Sequence, residues 1–160
     1  MPEILSSTFK TATPLAELLL RCGYAVLCGL LIGYERERHD RPAGLRTYAL
    51  TCLAAAMFML IAIELMTAFG ADTDRTRLDP IRVVEAVTAG VAFIAAGAII
   101  QSRGKIHGLT TGAGLWLAGA IGLACGAGSL TLATIGTALA LILLLPMRLL
   151  EKQIKDSDET

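Results

Sequence analysis

Apolar side chains gather along the chain into five long runs, at about residues 14–34, 45–69, 81–101, 109–125 and 130–150, separated by charged or turn-rich joints. Each run is near the roughly 20 residues that a helix needs to cross a hydrocarbon core of about 30 Å. The pattern predicts an all-α integral membrane protein: one transmembrane domain over residues 1–150 and a short cytoplasmic tail, 151–160. The last joint, Gly126-Ala-Gly-Ser129, is short and uncharged, so a tight helical hairpin is expected there.

The joints decide the expected orientation. Lysine and arginine collect in cytoplasmic loops. With the N-terminus outside and the C-terminus inside, the inner face receives nine basic residues (Arg36, Arg38, Arg41, Arg46, Arg103, Lys105, Arg148, Lys152 and Lys155) and the outer face four (Lys10, Arg75, Arg77 and Arg82). Folding the last two runs into one re-entrant element would place the C-terminal basic residues outside, so five spans fit better than four. The N-terminus MPEILSSTFKTATP lacks the basic region, short apolar core and cleavage site of a secretory signal, so the first helix is expected to be retained.

Composition agrees: 54% apolar residues and a mean hydropathy of +0.63 lie far from an ordinary soluble domain. The net charge of zero is the sum of segregated charges, seven of which fall between Glu35 and Arg46. All four cysteines (Cys22, Cys28, Cys52, Cys125) lie in apolar runs without a C-x-x-C pair or a histidine at zinc-ligand spacing, and read as small hydrophobes between helices.

The chain also resembles itself. GLRTYALTCLAAA (Gly44–Ala56) and GLTTGAGLWLAGA (Gly108–Ala120) match at seven places with a constant offset of 64, and Gly29–Ile32 corresponds to Gly97–Ile100 upstream. This suggests two related helical hairpins of the same membrane sense, a parallel repeat about an axis along the membrane normal, plus a fifth helix. Glycines four apart (Gly29 and Gly33, Gly108 and Gly112, Gly122 and Gly126) give small helix faces that permit close packing within one chain or between copies.

Three ionisable residues fall inside the runs: Arg21, Glu64 and Glu85. Such groups cost roughly 2.5–3.5 kcal/mol each on insertion scales, so each needs a partner or water. At about 1.5 Å per residue all three come out in the outer half of the bilayer. Either Arg21 pairs with Glu64 or Glu85, lining a vestibule, or the glutamates snorkel to the interface. On the inner side Arg46 stands at a helix N-terminus, where the dipole does not favour a cation, and is expected to meet Glu35, Glu37 or an anionic lipid or ligand. Thr47, Thr110 and Thr111 begin the two equivalent helices and are expected to cap them, or to line a polar site. His39 and His107 read as solvated interface residues.

The segments GLLIGYERE (Gly29–Glu37) and PAGLRT (Pro42–Thr47), with Arg82, the run Ala89–Gly97 and the run Gly108–Trp116, resemble the blocks of the MgtC/SapB family of bacterial inner-membrane proteins over about residues 15–127. That resemblance implies a link to magnesium limitation, to intracellular survival of pathogens and, for some members, to inhibition of the F-type ATP synthase. It assigns importance first to Gly33, Glu35, Arg36, Glu37, Ala43, Gly44, Leu45, Arg46 and Thr47. Arg21, Gly90, Gly97, Gly108, Thr110, Thr111 and Trp116 stand behind them. Ala92 and Ala95 replace family glycines, and Glu151–Thr160 is too short for the soluble C-terminal domain of virulence-type members.

No catalytic set, phosphate-binding loop, nucleic-acid site or cofactor motif is visible, so the expectation is a non-enzyme without a cofactor, in contact with the lipid bilayer, forming a homo-oligomer with a dimer favoured. Two readings remain: a regulator bound to another membrane protein, or a small transporter or channel for an ion or small solute. With only two acids in the spans, a protein-lined path for magnesium is poorly supplied with ligands.

Overall fold

The computed structural model describes residues 11–69, 79–102 and 105–144. Five helices follow in order: α1 (Leu15–Glu37), α2 (Leu45–Phe69), α3 (Pro80–Gly97), α4 (Leu109–Gly126) and α5 (Leu130–Leu144). Between α3 and α4 lies a small antiparallel hairpin of β1 (Ile100–Ser102) and β2 (Lys105–His107). The first four helices are long and apolar enough to cross a membrane; α5 is apolar with 15 described residues. Residues 145–150 of the expected fifth span, the tail, and Arg75 and Arg77 lie outside the described residues.

Two boundaries differ from the sequence reading. α1 continues three residues beyond Tyr34 and carries Glu35, Arg36 and Glu37 as helix. α3 stops at Gly97 instead of Gln101, because the chain turns at Ala98 and then pairs Ile100 with His107 and Gln101 with Ile106. The β-branched Ile99 and Ile100 favour that extended backbone. At the start of α3, Asp79 accepts a hydrogen bond from Ile81 N at 2.9 Å, with Pro80 at the first helical position.

Contacts along the helices give their directions. Gly29 lies against Tyr48 and Gly33 against Leu45, so α1 and α2 are antiparallel. Tyr48 meets Thr111, Cys52 meets Ala118 and Gly122, and Ala56 meets Gly126, so α2 and α4 are parallel. Ala95 approaches Gly112 and Val91 approaches Gly119, which sets α3 antiparallel to α4. Tyr24 shares a 2.6 Å hydrogen bond with Thr134, and α5 returns beside α1. The bundle therefore alternates in direction, with α2 and α4 at its centre, and both hairpins turn at the same end.

Glycine makes the central contacts. A methyl group placed at Gly29 would lie 2.6 Å from Tyr48 O, and one at Gly33 would lie 2.7 Å from Leu45 Cα. On the other side of α2, methyls at Gly122 and Gly126 would collide with the carbonyl oxygens of Cys52 and Ala56. Small residues fill the interior: Ala25, Cys28, Cys52, Ala56, Ala118, Cys125 and Ala133 are buried, whereas Leu19, Phe58, Phe93 and Leu143 are exposed. That inversion suits a lipid solvent, in which association depends on close van der Waals packing rather than on hiding large apolar side chains.

Gly122→Leu should therefore destabilise the bundle by about 1–3 kcal/mol, the usual range for overpacking. Gly90→Ala, at a position with nothing within 4 Å of an added Cβ, should leave stability unchanged. Unfolding midpoints in detergent titrated with a denaturing surfactant check both.

Candidate functional site

Extension of α1 past the apolar run carries two charges into the protein. Glu35 and Arg36 are 5% and 4% exposed, although they adjoin a loop of charged residues. Arg36 Nη1 is 3.7 Å from Glu35 Oε2, and Arg36 Nη2 donates to Thr111 Oγ1 at 3.3 Å. The Thr111 carbonyl accepts from the fully buried Tyr48 hydroxyl at 3.3 Å. His39 Nδ1 lies 2.7 Å from the Glu35 carbonyl and 3.1 Å from its Oε1. Glu35 Oε2 and Arg36 Nε are buried without a hydrogen-bond partner among the described residues.

The turn after α1 fixes this arrangement. Asp40 adopts φ 51°, its N–H donates to Glu37 O at 3.1 Å, and Arg41 N–H donates to Arg36 O at 3.2 Å. These are the two bonds of a Schellman motif, which closes the helix and folds Arg41 back beside Arg36. Glu37 Oε2 then accepts Leu45 N–H at 3.1 Å, so the end of α1 caps the start of α2. Gly44 leaves room for that carboxylate, because a Cβ there would push the Glu37 side chain out of the capping position. Gly108 plays a similar part before α4, with φ 86° and its α-carbon close to the Ala98 carbonyl.

A cleft of about 340 Å³ opens between α1, α4 and α5 at this end, with Glu35, Arg36, Arg41 and Thr110 on its polar side. Ile32, Leu117, Ala140 and Leu143 continue the lining as an apolar wall. The structure thus brings Gly33, Glu35, Arg36, Glu37, Gly44, Leu45, Thr110 and Thr111 to one end of the bundle. Arg46 is also there but exposed, and meets neither Glu35 nor Glu37: the first is engaged by Arg36 and His39, the second by the α2 N-terminus. The capping expectation for the threonines is likewise corrected. The α4 N-cap is Gly108, without a side-chain bond, while Thr111 turns inward to Arg36. Thr47 offers its carbonyl to Thr51 Oγ1 at 2.8 Å. Trp116 is 55% exposed and borders a separate apolar hollow with Val87, Val91 and Gly119.

The expected cluster of Arg21, Glu64 and Glu85 does not form. All three stand at the opposite end, but Arg21 pairs with Glu17, one turn away on its own helix, and donates to Gly126 O at 2.7 Å. Glu64 accepts the backbone N–H groups of Ala12 and Thr13 at 2.8 and 3.1 Å. Glu85 is exposed on the outer helix α3. The i,i+4 acid was the nearest available partner for Arg21. The residues that sequence reasoning passed over are Glu17, Tyr48 and, at the cleft, Arg41. Among the described residues no three His, Cys, Asp or Glu side chains gather to hold a metal ion.

Long apolar helices with large side chains outward, small ones within and charged groups confined to the two ends define a multi-pass helical membrane protein in contact with the bilayer. The chain belongs to the MgtC family, whose family model matches residues 23–153. It is 39% identical over 70% of its length to SapB of Bacillus subtilis, covering 48% of that protein. It is 35% identical over 84% of its length to SrpB of Synechococcus elongatus, covering 77% of it. To YhiD of Escherichia coli K12, named a putative magnesium transporter, it is 36% identical over 81% of its length and covers 60% of that protein. The chain thus spans about half the length of SapB and somewhat more of YhiD. No solved structure matches it.

Arg36→Met should cost about 3–5 kcal/mol by leaving Glu35 buried without its counter-charge, and the double variant Glu35→Leu/Arg36→Met should recover most of the loss. Surfactant unfolding of the three proteins tests this; a double variant no better than the single one would show that the two charges are not coupled. At the other end, damage from Arg21→Glu should be relieved by Glu17→Arg and not by Glu64→Arg or Glu85→Arg, as read by yield of folded protein.

Proposed function

We propose that this is a bacterial inner-membrane protein of magnesium homeostasis or stress adaptation, oriented N-out and C-in, which acts without catalysis by regulating another membrane protein and works as a homo-oligomer. The family, and the magnesium transport in the printed name of YhiD, support the physiological setting. The observation that carries the regulatory reading is the contrast among helix glycines. Gly29, Gly33, Gly112, Gly119, Gly122 and Gly126 are packed against neighbouring helices, whereas Gly90 and Gly97 of α3, like the single Gly23 of α1, have nothing within 4 Å of an added Cβ. α3 therefore leaves its backbone open at Gly90 and Gly97, with Phe93 and Ile94 exposed between them on the same face, so that another membrane helix can approach at the glycines and take up the two large side chains.

The interior weighs against a transport path. Between the Arg36 end and the Arg21 end lie Cys28, Ile32, Cys52, Leu115, Ala118 and Cys125, each no more than 2% exposed, and the polar groups at the two ends do not meet. The partly open, charged cleft at one end and the printed name of YhiD keep a small transporter as the alternative.

Liposomes containing the purified protein should show no flux of magnesium, potassium or protons above empty liposomes, and Gly90→Leu should keep wild-type stability while losing the ability to restore growth in low magnesium. Flux that disappears in Arg36→Gln would overturn the regulatory reading in favour of transport.

A further inference from the structure

The cleft between α1, α4 and α5 has a charge balance and a shape that together specify an occupant. Two arginines, Arg36 and Arg41, line it together with one acid, Glu35. That carboxylate is divided between Arg36 Nη1 at 3.7 Å, too long for a hydrogen bond, and His39 Nδ1 at 3.1 Å. Arg36 is 96% removed from solvent, yet of its five N–H donors the described residues take one, through Thr111 Oγ1 at 3.3 Å. A guanidinium so enclosed and so sparsely bonded calls for an anionic acceptor, because desolvated charge is stable only when paired and hydrogen-bonded. Arg41 is carried to the same place by its backbone bond to Arg36 O, and remains exposed at the mouth.

The apolar side of the cleft excludes a small inorganic anion as the whole answer. Leu117, Ala140 and Leu143 continue from the arginines along α4 and α5, and the outer face of α5 carries exposed Leu139 and Ile142 beyond them. At about 340 Å³ the space lies near the small end of ligand sites, enough for a phosphate group and the start of a chain that then follows the surface of the bundle. The position, at the charged end of a transmembrane bundle, is the headgroup level of a bilayer.

We propose that this cleft binds one anionic phospholipid, with its phosphate held by Arg36 and Arg41 and an acyl chain lying along Leu117, Ala140 and Leu143. Arg36 supplies planar, bidentate donors and Arg41 closes the mouth. Glu35 acts against the ligand's charge while Thr111 orients Arg36, so the site is tuned for an anion that brings apolar area with it. This inference is independent of whether the protein regulates a partner or transports a solute.

The test is native mass spectrometry of the purified full chain in detergent, offered phosphatidylglycerol, phosphatidylcholine or inorganic phosphate in separate arms. Wild-type protein should retain phosphatidylglycerol in preference to phosphatidylcholine, and millimolar phosphate should not displace it. Arg41→Gln, an exposed substitution that leaves the packing untouched, should weaken retention about fivefold, the effect of one surface arginine on anionic lipid. Glu35→Gln should retain phosphatidylglycerol at least as well as wild type, whereas a cation site would be weakened by the same change. Equal retention of the two lipids, no effect of Arg41→Gln, loss of binding in Glu35→Gln, or displacement of the lipid by phosphate would each overturn the proposal.

Discussion

The bundle depends on how closely α1 and α4 approach the backbone of α2. Lipid tails are as apolar as leucine, so burying leucine between helices gains little in a bilayer, and contact distance takes over the role that apolar area plays in water. Gly29 and Gly33 bring α1 onto one side of α2, and Gly122 and Gly126 bring α4 onto the other. With α2 held from both sides, the polar atoms near its N-terminus acquire fixed neighbours: Tyr48 reaches the Thr111 carbonyl, and Cys52 Sγ donates to Ala118 O at 3.2 Å. The orientation of Arg36 follows from the same approach, because its hydroxyl acceptor is on α4 while the arginine is on α1.

Charge is handled differently at the two ends. At the Arg21 end each group finds a local partner: Arg21 has Glu17 and the last carbonyl of α4, and Glu64 has two backbone N–H groups. At the other end Glu35 and Arg36 are drawn under the joint and left with unpartnered atoms. A buried polar pair that is only partly bonded is a costly arrangement in any fold. Its place beside a cleft, with a second arginine brought near by the Schellman turn, sets this end apart from the Arg21 end, where the charges are partnered locally.

The helices were legible because the apolar runs are long and the joints between them are marked by charge or by Gly and Pro. The common sense of the two hairpins was visible in the repeat offset of 64, and appears in the structure as the parallel course of α2 and α4. Much of the loop cluster was legible too, since the blocks around Glu35 and Gly108 do converge. What escaped were features that depend on rotation about a helix axis. Sequence distance put Arg21, Glu64 and Glu85 at one depth but could not say which faces they occupy, and Glu85 proved to lie on the exposed side of α3. Thr111 likewise looked like a cap from its position, yet it points into the bundle while Gly108 makes the turn. The hairpin at Ile100–His107 was hidden because its apolar residues extended the preceding run without a break.

The turn between α4 and α5 bears on how such a chain enters a membrane. Gly128, at φ 82°, lets its own N–H reach Cys125 O at 3.0 Å and that of Ser129 reach Ala124 O at 2.9 Å, so the turn holds its backbone donors internally. Residues 127–129 carry no charge. In the proposed orientation this is a turn that the insertion machinery must translocate, and a joint so compact and uncharged imposes little desolvation cost in transit. α4 and α5 can therefore be delivered across the bilayer together as a preformed pair, whereas the arginine-rich joint after α1 remains on the side of synthesis and anchors the first pair there.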